Sequence, residues 1–256
     1  MAQLASDIDT MIEHLAALMA AQERFVANAA HELQTPITAL YTDLQQALRK
    51  PRDKEGYRAS VQMALEDTQR IKRLVHELLS FFKASHQRRP HTPVQTRDLV
   101  DGALRSVTRL AEERNVELTV QDDGSPLVGH RDDLERMLRN LVENAVRYSP
   151  VGGHVSVQVT STDGSVRISV EDDGPGVSDE EQARIFEPFY RSPRSRAVAP
   201  EGAGLGLAIA REIASAHRGD VHRSTKPRER GAEFVVLLPL PQVDGDERDG
   251  AVVHGH

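Results

Sequence analysis

Three stretches of this chain put polar groups where a strand or helix ordinarily keeps its core. In SVRISVEDDGPGV, Val166, Ile168 and Val170 alternate onto one face, and a period of two carries Asp172 onto that same inward face. A carboxylate in phase with core residues is costly unless something donates to it. Gly174 and Gly176 follow and clear side chains from beside it, so a flat ligand bearing an amino group, such as adenine, can approach closely. The competing reading ends the strand before Asp172, which then caps a turn. In LERMLRNLVENAVRYSP, Leu134, Leu138, Leu141 and Ala145 make a buried helical stripe, and Asn140, Asn144 and Arg147 make a polar row beside it. Amide oxygens and a guanidinium in a row suit a hydrated Mg²⁺ and a polyphosphate, because magnesium takes oxygen ligands and keeps several waters. A solvated polar edge would use the same residues. In EGAGLGLAIAREIASAH, Gly202, Gly204 and Gly206 alternate just ahead of an apolar helix, leaving backbone N–H groups to face an anion at its N-terminus. The preceding RSPRSRAVAPE is basic, punctuated by proline and without period, the composition of a flap over phosphates or of an ordinary surface loop.

A fourth stretch, HELQTPITAL, sets His31 beside Glu32 inside a helical pattern, with Thr35 one turn after His31 on the same face. Pro36 then removes a backbone donor and crowds the carbonyl of Glu32, which predicts a bend or a loosened turn next to the pair. Taken alone, His31 is one of 11 histidines and reads as an exposed helical residue.

These residues need elements to position them. Apolar residues recur at spacings of three and four from Met11 through Phe25, Leu33 and Leu40 to Leu48, predicting a long amphipathic helix over residues 4–48. KPRDKEG breaks it, and Val61, Ala64, Ile71, Leu74, Leu78 and Phe82 mark a second helix. Two such stripes bury too little surface alone, so the hairpin is expected to pair with a second copy as a four-helix bundle. QRRPHTPVQT reads as a linker. Beyond it the pattern alternates: helices over residues 98–114 and 132–148, strands VELTV, VSVQVT and SVRISV, a short helix over 179–186, a helix over 205–217 and a closing strand EFVVLLPL. Paired strands with helices to one side predict an α/β sandwich with a mixed sheet. The organisation expected is an incoming helix over residues 1–24, a hairpin domain over 25–88, a linker over 89–97, an α/β domain over 98–242 and a disordered tail over 243–256.

Composition narrows the chemistry. The chain has 256 residues and no cysteine, which removes disulfides, thiolate catalysis and the common structural zinc sites. A net charge of −7 argues against a nucleic-acid partner, which requires a concentrated basic surface. No run is apolar and long enough to cross a bilayer, and MAQLASDIDTM lacks the basic start and apolar core of a signal peptide. The expectation is a chain soluble as given, or the intracellular part of a longer membrane protein with membrane contact only through a missing N-terminal region, since its opening runs straight into a helical pattern.

In order, the chain carries FVANAAHELQTPITAL, LRNLVENAVRYSP, EDDGPGV, IFEPFYR and GAGLGLAIA. Over residues 25–239 it resembles the catalytic core of the bacterial sensor histidine kinases of two-component systems, whose H, N, G1, F and G2 boxes follow in this order. The resemblance implies an α + α/β architecture: a dimeric phosphotransfer hairpin followed by the Bergerat sandwich shared with Hsp90-type and mismatch-repair ATPases. It implies that His31 is the phosphoacceptor, that Asp172 receives the adenine amine, and that Asn140 and Asn144 serve phosphates and Mg²⁺. Asn144 is the principal metal ligand in this scheme, Arg147 meets the phosphate chain and Tyr148 packs on the nucleotide. Residues 189–201 correspond to the ATP lid, Phe186 and Phe189 to its anchors, and Gly202, Gly204 and Gly206 to its phosphate-facing hinge, with Phe189, Leu205, Leu207, Gly174 and Gly176 also among the ATP-binding residues. Glu32 is then placed to accept the second ring N–H of a neutral His31. Thr35 completes an HExxT pattern linked to phosphatase activity toward a response-regulator partner. Gln34 departs from the family's usual arginine. The implied activity is an ATP- and Mg²⁺-dependent protein histidine kinase acting on itself and then on a response regulator. The bend expected at Pro36 suggests, on the residues rather than the resemblance, a hinge by which signals arriving through residues 1–24 switch His31 between kinase and phosphatase geometries.

Overall fold

The computed structural model describes residues 2–49, 52–86, 90–162, 164–199, 202–225 and 230–240, so the expected tail lies outside the described residues. Helix α1, Ala2–Arg49, runs unbroken through Pro36, which is buried. The ring removes only one backbone donor, and the remaining 3.6-residue pattern carries the helix on. Helix α2, Lys54–His86, returns antiparallel to it. Asp53 starts α2 by accepting a hydrogen bond from the backbone N–H of Gly56 at 2.8 Å, satisfying an otherwise orphaned donor. Little of the hairpin's apolar stripe is covered: Phe25, Ala47, Leu74 and Ala84 are buried, whereas Met11, Leu15, Leu18, Leu44, Leu48 and Val61 are exposed.

The α/β domain begins earlier than its sequence suggests. Residues 92–95, inside the expected linker, form strand β1, Thr92–Gln95, antiparallel to a strand the sequence did not reveal, β3, Pro126–Gly129. Helix α3, Thr96–Glu113, β2, Glu117–Asp122, and α4, Arg131–Tyr148, follow. Then come β4, His154–Thr162, β5, Ser165–Asp172, and the single turn α5, Asp179–Gln182, shorter than the helix expected over 179–186. Helix α6, Pro193–Val198, lies inside the aperiodic flap, with Ser192 as its N-cap and Pro193 in its first turn. Helix α7, Gly206–Ala216, β6, Asp220–Arg223, and β7, Glu233–Pro239, close the domain.

The main sheet has the order β2-β4-β5-β7-β6, with β2 and β4 parallel and the other pairs antiparallel. Helices α3, α4 and α7 pack on it. The predicted stripe of α4, Leu134, Leu138, Leu141 and Ala145, is buried against Val155 and Val157 of β4 and Val166, Ile168 and Val170 of β5. Each of these leucine, isoleucine and valine side chains contributes about 1.5–3 kcal/mol on burial, which makes this layer the rigid frame for the polar groups at its edge.

Candidate active site

Strand β5 keeps its phase to the end, so Asp172 is buried at 4 % exposure and does not merely cap a turn. Its Oδ1 accepts from the backbone N–H of Gly174 at 2.8 Å and of Ala232 at 3.2 Å. Burial pushes its carboxyl up to about 6 against those two donors. A Cβ on Gly174 would sit 2.7 Å from that same Oδ1 and 3.0 Å from the Tyr148 carbonyl oxygen, so the turn requires glycine. Gly176, at φ +73°, opens onto the cleft. Sequence reasoning missed Gly231: at φ +76° its backbone lies so close to the Asp172 carbonyl that a Cβ would stand 1.6 Å from that oxygen. Its N–H donates to the Gly174 carbonyl at 3.0 Å, tying the loop before β7 under the carboxylate. A glycine in a mixed polar loop carries no spacing signal, so only the fold exposes its role.

Asp172 forms one wall of a cleft of about 510 Å³, which also collects Asn140, Asn144, Arg147, Tyr148, Gly176, Gly202, Gly204, Leu205, Gly206 and Leu207. Asn140 is half-buried, and its amide nitrogen is enclosed without a hydrogen-bond partner. An enclosed donor is costly to leave unmatched, so a ligand atom that accepts from it would be favoured there. One turn on, Asn144 lies beside Glu143, a carboxylate the sequence reading passed over, which pairs with Arg147 at 2.6 Å. Arg147 therefore points along its own helix, and a phosphate would have to compete with Glu143 for it. Leu205 is the N-cap of α7 and supplies no side-chain acceptor, so the first-turn N–H groups of α7 open toward the cleft. Cβ atoms on Gly202 or Gly206 would meet nothing within 4 Å and would simply protrude into that space. Among the described residues no group of three or more His, Cys, Asp or Glu could hold a metal ion. The donors that fit Mg²⁺ are the Asn140 and Asn144 amide oxygens and the Glu143 carboxylate, completed by water and phosphate.

The opposite wall belongs to the hairpin. Glu32 of α1 and Arg70, Arg73, Leu74 and Glu77 of α2 line the same cleft. Burial, then the nearby Glu143, push the Glu77 carboxyl up to about 7, with Arg147 and Arg73 opposing. His31 is exposed and opens instead onto a groove along α1 shared with Gln34, Thr35, Thr38 and Thr42. The Thr35 hydroxyl donates back to the His31 carbonyl at 3.2 Å. Phe189 is not among the residues lining the cleft: its backbone is left-handed at φ +66°, and its ring lies 5.3 Å from Phe25 of α1, which stacks on Phe81 at 4.8 Å. The Phe189 N–H donates to the Gly204 carbonyl at 3.0 Å, closing the neck of the flap. A Cβ on Gly204, at φ +76°, would strike the Phe189 and Tyr190 backbone. Phe186 is buried against Phe234, under the Arg211 guanidinium.

The cleft thus lies between an α/β sandwich and a helical hairpin that carries an exposed histidine. Residues 21–87 match the His Kinase A (phospho-acceptor) domain, and residues 129–242 match the histidine kinase-, DNA gyrase B- and HSP90-like ATPase domain, which implies ATP binding. The chain is 33 % identical over 243 residues to the sensor protein kinase PmrB of Pseudomonas aeruginosa, covering 94 % of this chain and 50 % of that protein. It is 36 % identical over 240 residues to the sensor protein CutS of Streptomyces coelicolor, covering 93 % and 57 %. Among solved structures, the histidine kinase ThkA in complex with the response regulator protein TrrA shares the fold at TM-score 0.72 and 22 % identity, over 88 % of this chain and 63 % of that one. The chain belongs to the sensor histidine kinases of bacterial two-component systems. It spans about half the length of the curated relatives it matches. No described helix is long and apolar enough to cross a membrane.

Proposed function

We propose that this chain is an ATP-dependent protein histidine kinase that phosphorylates His31 and passes the phosphoryl group to an aspartate of a response-regulator receiver domain. The observation that carries this reading is the shared cleft: Asp172, Asn140, Asn144 and the uncapped start of α7 face it from one side, and Glu32, beside His31, faces it from the other. Asp172 accepts the adenine amine, and the buried rim around it excludes water from that hydrogen bond. The α7 N–H groups and the guanidinium of Arg147, once drawn from Glu143, orient the phosphates. Mg²⁺, held by Asn144 and Asn140, would neutralise charge on the transferring group. The exposed apolar stripe of α1 and α2 supports a homodimer through the hairpin, where a second copy would cover it. Thr35 shares its groove with His31, which supports a phosphatase role toward the regulator. Incubation with γ-labelled ATP and Mg²⁺ should give an acid-labile label that His31→Ala abolishes. Phosphate release without protein label, or a label surviving in that variant, would defeat the proposal.

A further inference from the structure

The place of the cleft on the hairpin bears on which histidine it serves. The catalytic domain sits over its own α1 and α2: Glu32 and Leu74 line the cleft, and Phe189, at the neck of the flap, packs on Phe25. Phe25 also fixes the level of the two antiparallel helices, because it stacks on Phe81 and meets Phe82 edge-on at 5.1 Å. Six residues beyond Phe25, about 9 Å along the axis at 1.5 Å per residue, His31 comes level with Val75. That position is bracketed on α2 by Leu74 and Glu77, both of which line the cleft. His31 is therefore at the right height already. It is turned about 100° around α1 from Glu32, the angle between successive helical residues, which accounts for its opening onto the neighbouring groove. Only residues 87–91 join α2 to β1, and that tether spans about 20 Å at full extension. A short tether confines the domain near the end of its own hairpin, where turning α1 or a small swing of the domain brings the His31 ring into the cleft.

From this we infer that phosphoryl transfer to His31 takes place within one chain, each cleft serving the histidine of its own hairpin. The inference rests on the kinase reading above. In the step, the lone pair of one His31 ring nitrogen attacks the γ-phosphorus and forms the N–P bond. The bond from that phosphorus to the β–γ bridging oxygen breaks, and ADP departs with its electron pair. Glu32 takes the proton from the other ring nitrogen.

Mixed dimers of the full chain, co-expressed with two different tags and purified through both, test this with γ-labelled ATP. A dimer of one unaltered chain and one His31→Ala/Asn144→Ala chain should be labelled on the unaltered chain. A dimer of a His31→Ala chain and an Asn144→Ala chain should show no label above the Asn144→Ala homodimer. The reverse pattern, label in the second dimer and none in the first, overturns transfer within one chain while leaving the kinase reading intact. No acid-labile label on the unaltered homodimer would instead remove the kinase reading. If the chain proves monomeric, an initial rate per chain that is independent of concentration supports the inference, and one rising linearly with concentration overturns it.

Discussion

At the residue scale, Asp172 combines a cost to the fold with the adenine contact proposed for it. Its native pKa, about 6, lies above the ordinary 3.8, so the folded state holds the proton more tightly than the unfolded chain does. The sign follows from linkage: stability falls as pH rises from about 4 to about 6, and above that window the burial penalty is fully present. Asp172→Asn removes the charge while an amide oxygen can still accept from Gly174 and Ala232. Its thermal midpoint without nucleotide at neutral pH is expected to equal or exceed that of the unaltered chain. Its NH₂ group would face the adenine amine donor to donor, and losing a hydrogen bond to a charged acceptor, about 1.5–3 kcal/mol, should weaken ATP binding roughly ten- to a hundredfold by calorimetry. In the unaltered chain, affinity should decline as pH drops through about 6, when the carboxyl takes up its proton. An affinity flat from pH 5 to 8 would contradict this account. The site's main polar groups were legible because each broke a pattern: Asp172 in the phase of β5, and Asn140 and Asn144 beside a regular stripe. Gly231 and Glu77 broke none, because their roles arise from loop closure and domain docking, which no local spacing encodes.

At the scale of elements, periodicity decided what could be read. Helix α4 and the β4–β5 pair are long enough to display a period, and they fold as the pattern predicts. Strands β1, β3 and β6 have four residues each, too few to alternate visibly, and their pairing is set by partners distant in sequence. At Pro36, where the sequence predicts a bend or loosened turn, the helix continues from Ala2 to Arg49 without ending. Interior proline costs a helix about 3 kcal/mol relative to alanine, so the flanking turns must carry that burden. Pro36→Ala should raise the thermal midpoint. If Pro36 also serves as a hinge, the variant should shift the ratio of His31 labelling to dephosphorylation of the regulator. An unchanged ratio in a stabilised variant would reduce Pro36 to a local defect.

At the scale of the molecule, the two halves meet their cores differently. The α/β domain encloses its own, whereas the hairpin leaves Leu15, Leu18, Leu44, Leu48 and Val61 uncovered. Sedimentation of the chain should therefore report a dimer, and Leu44→Glu, a charge placed in that stripe, should shift it toward monomer while nucleotide affinity holds. A dimer unaffected by that charge would place the contact between copies elsewhere.

The Phe25–Phe189 contact has one more consequence. Phe189 occupies a backbone region that costs a non-glycine residue about 1–3 kcal/mol, and its ring packing on α1 helps hold it there. Whatever displaces Phe25 alters the free energy of the flap, and by thermodynamic reciprocity whatever moves the flap alters the preferred position of α1 by the same amount. On the proposed function, an ordering of the flap by nucleotide would be felt along α1, so nucleotide occupancy and the position of α1 would be two readings of a single equilibrium.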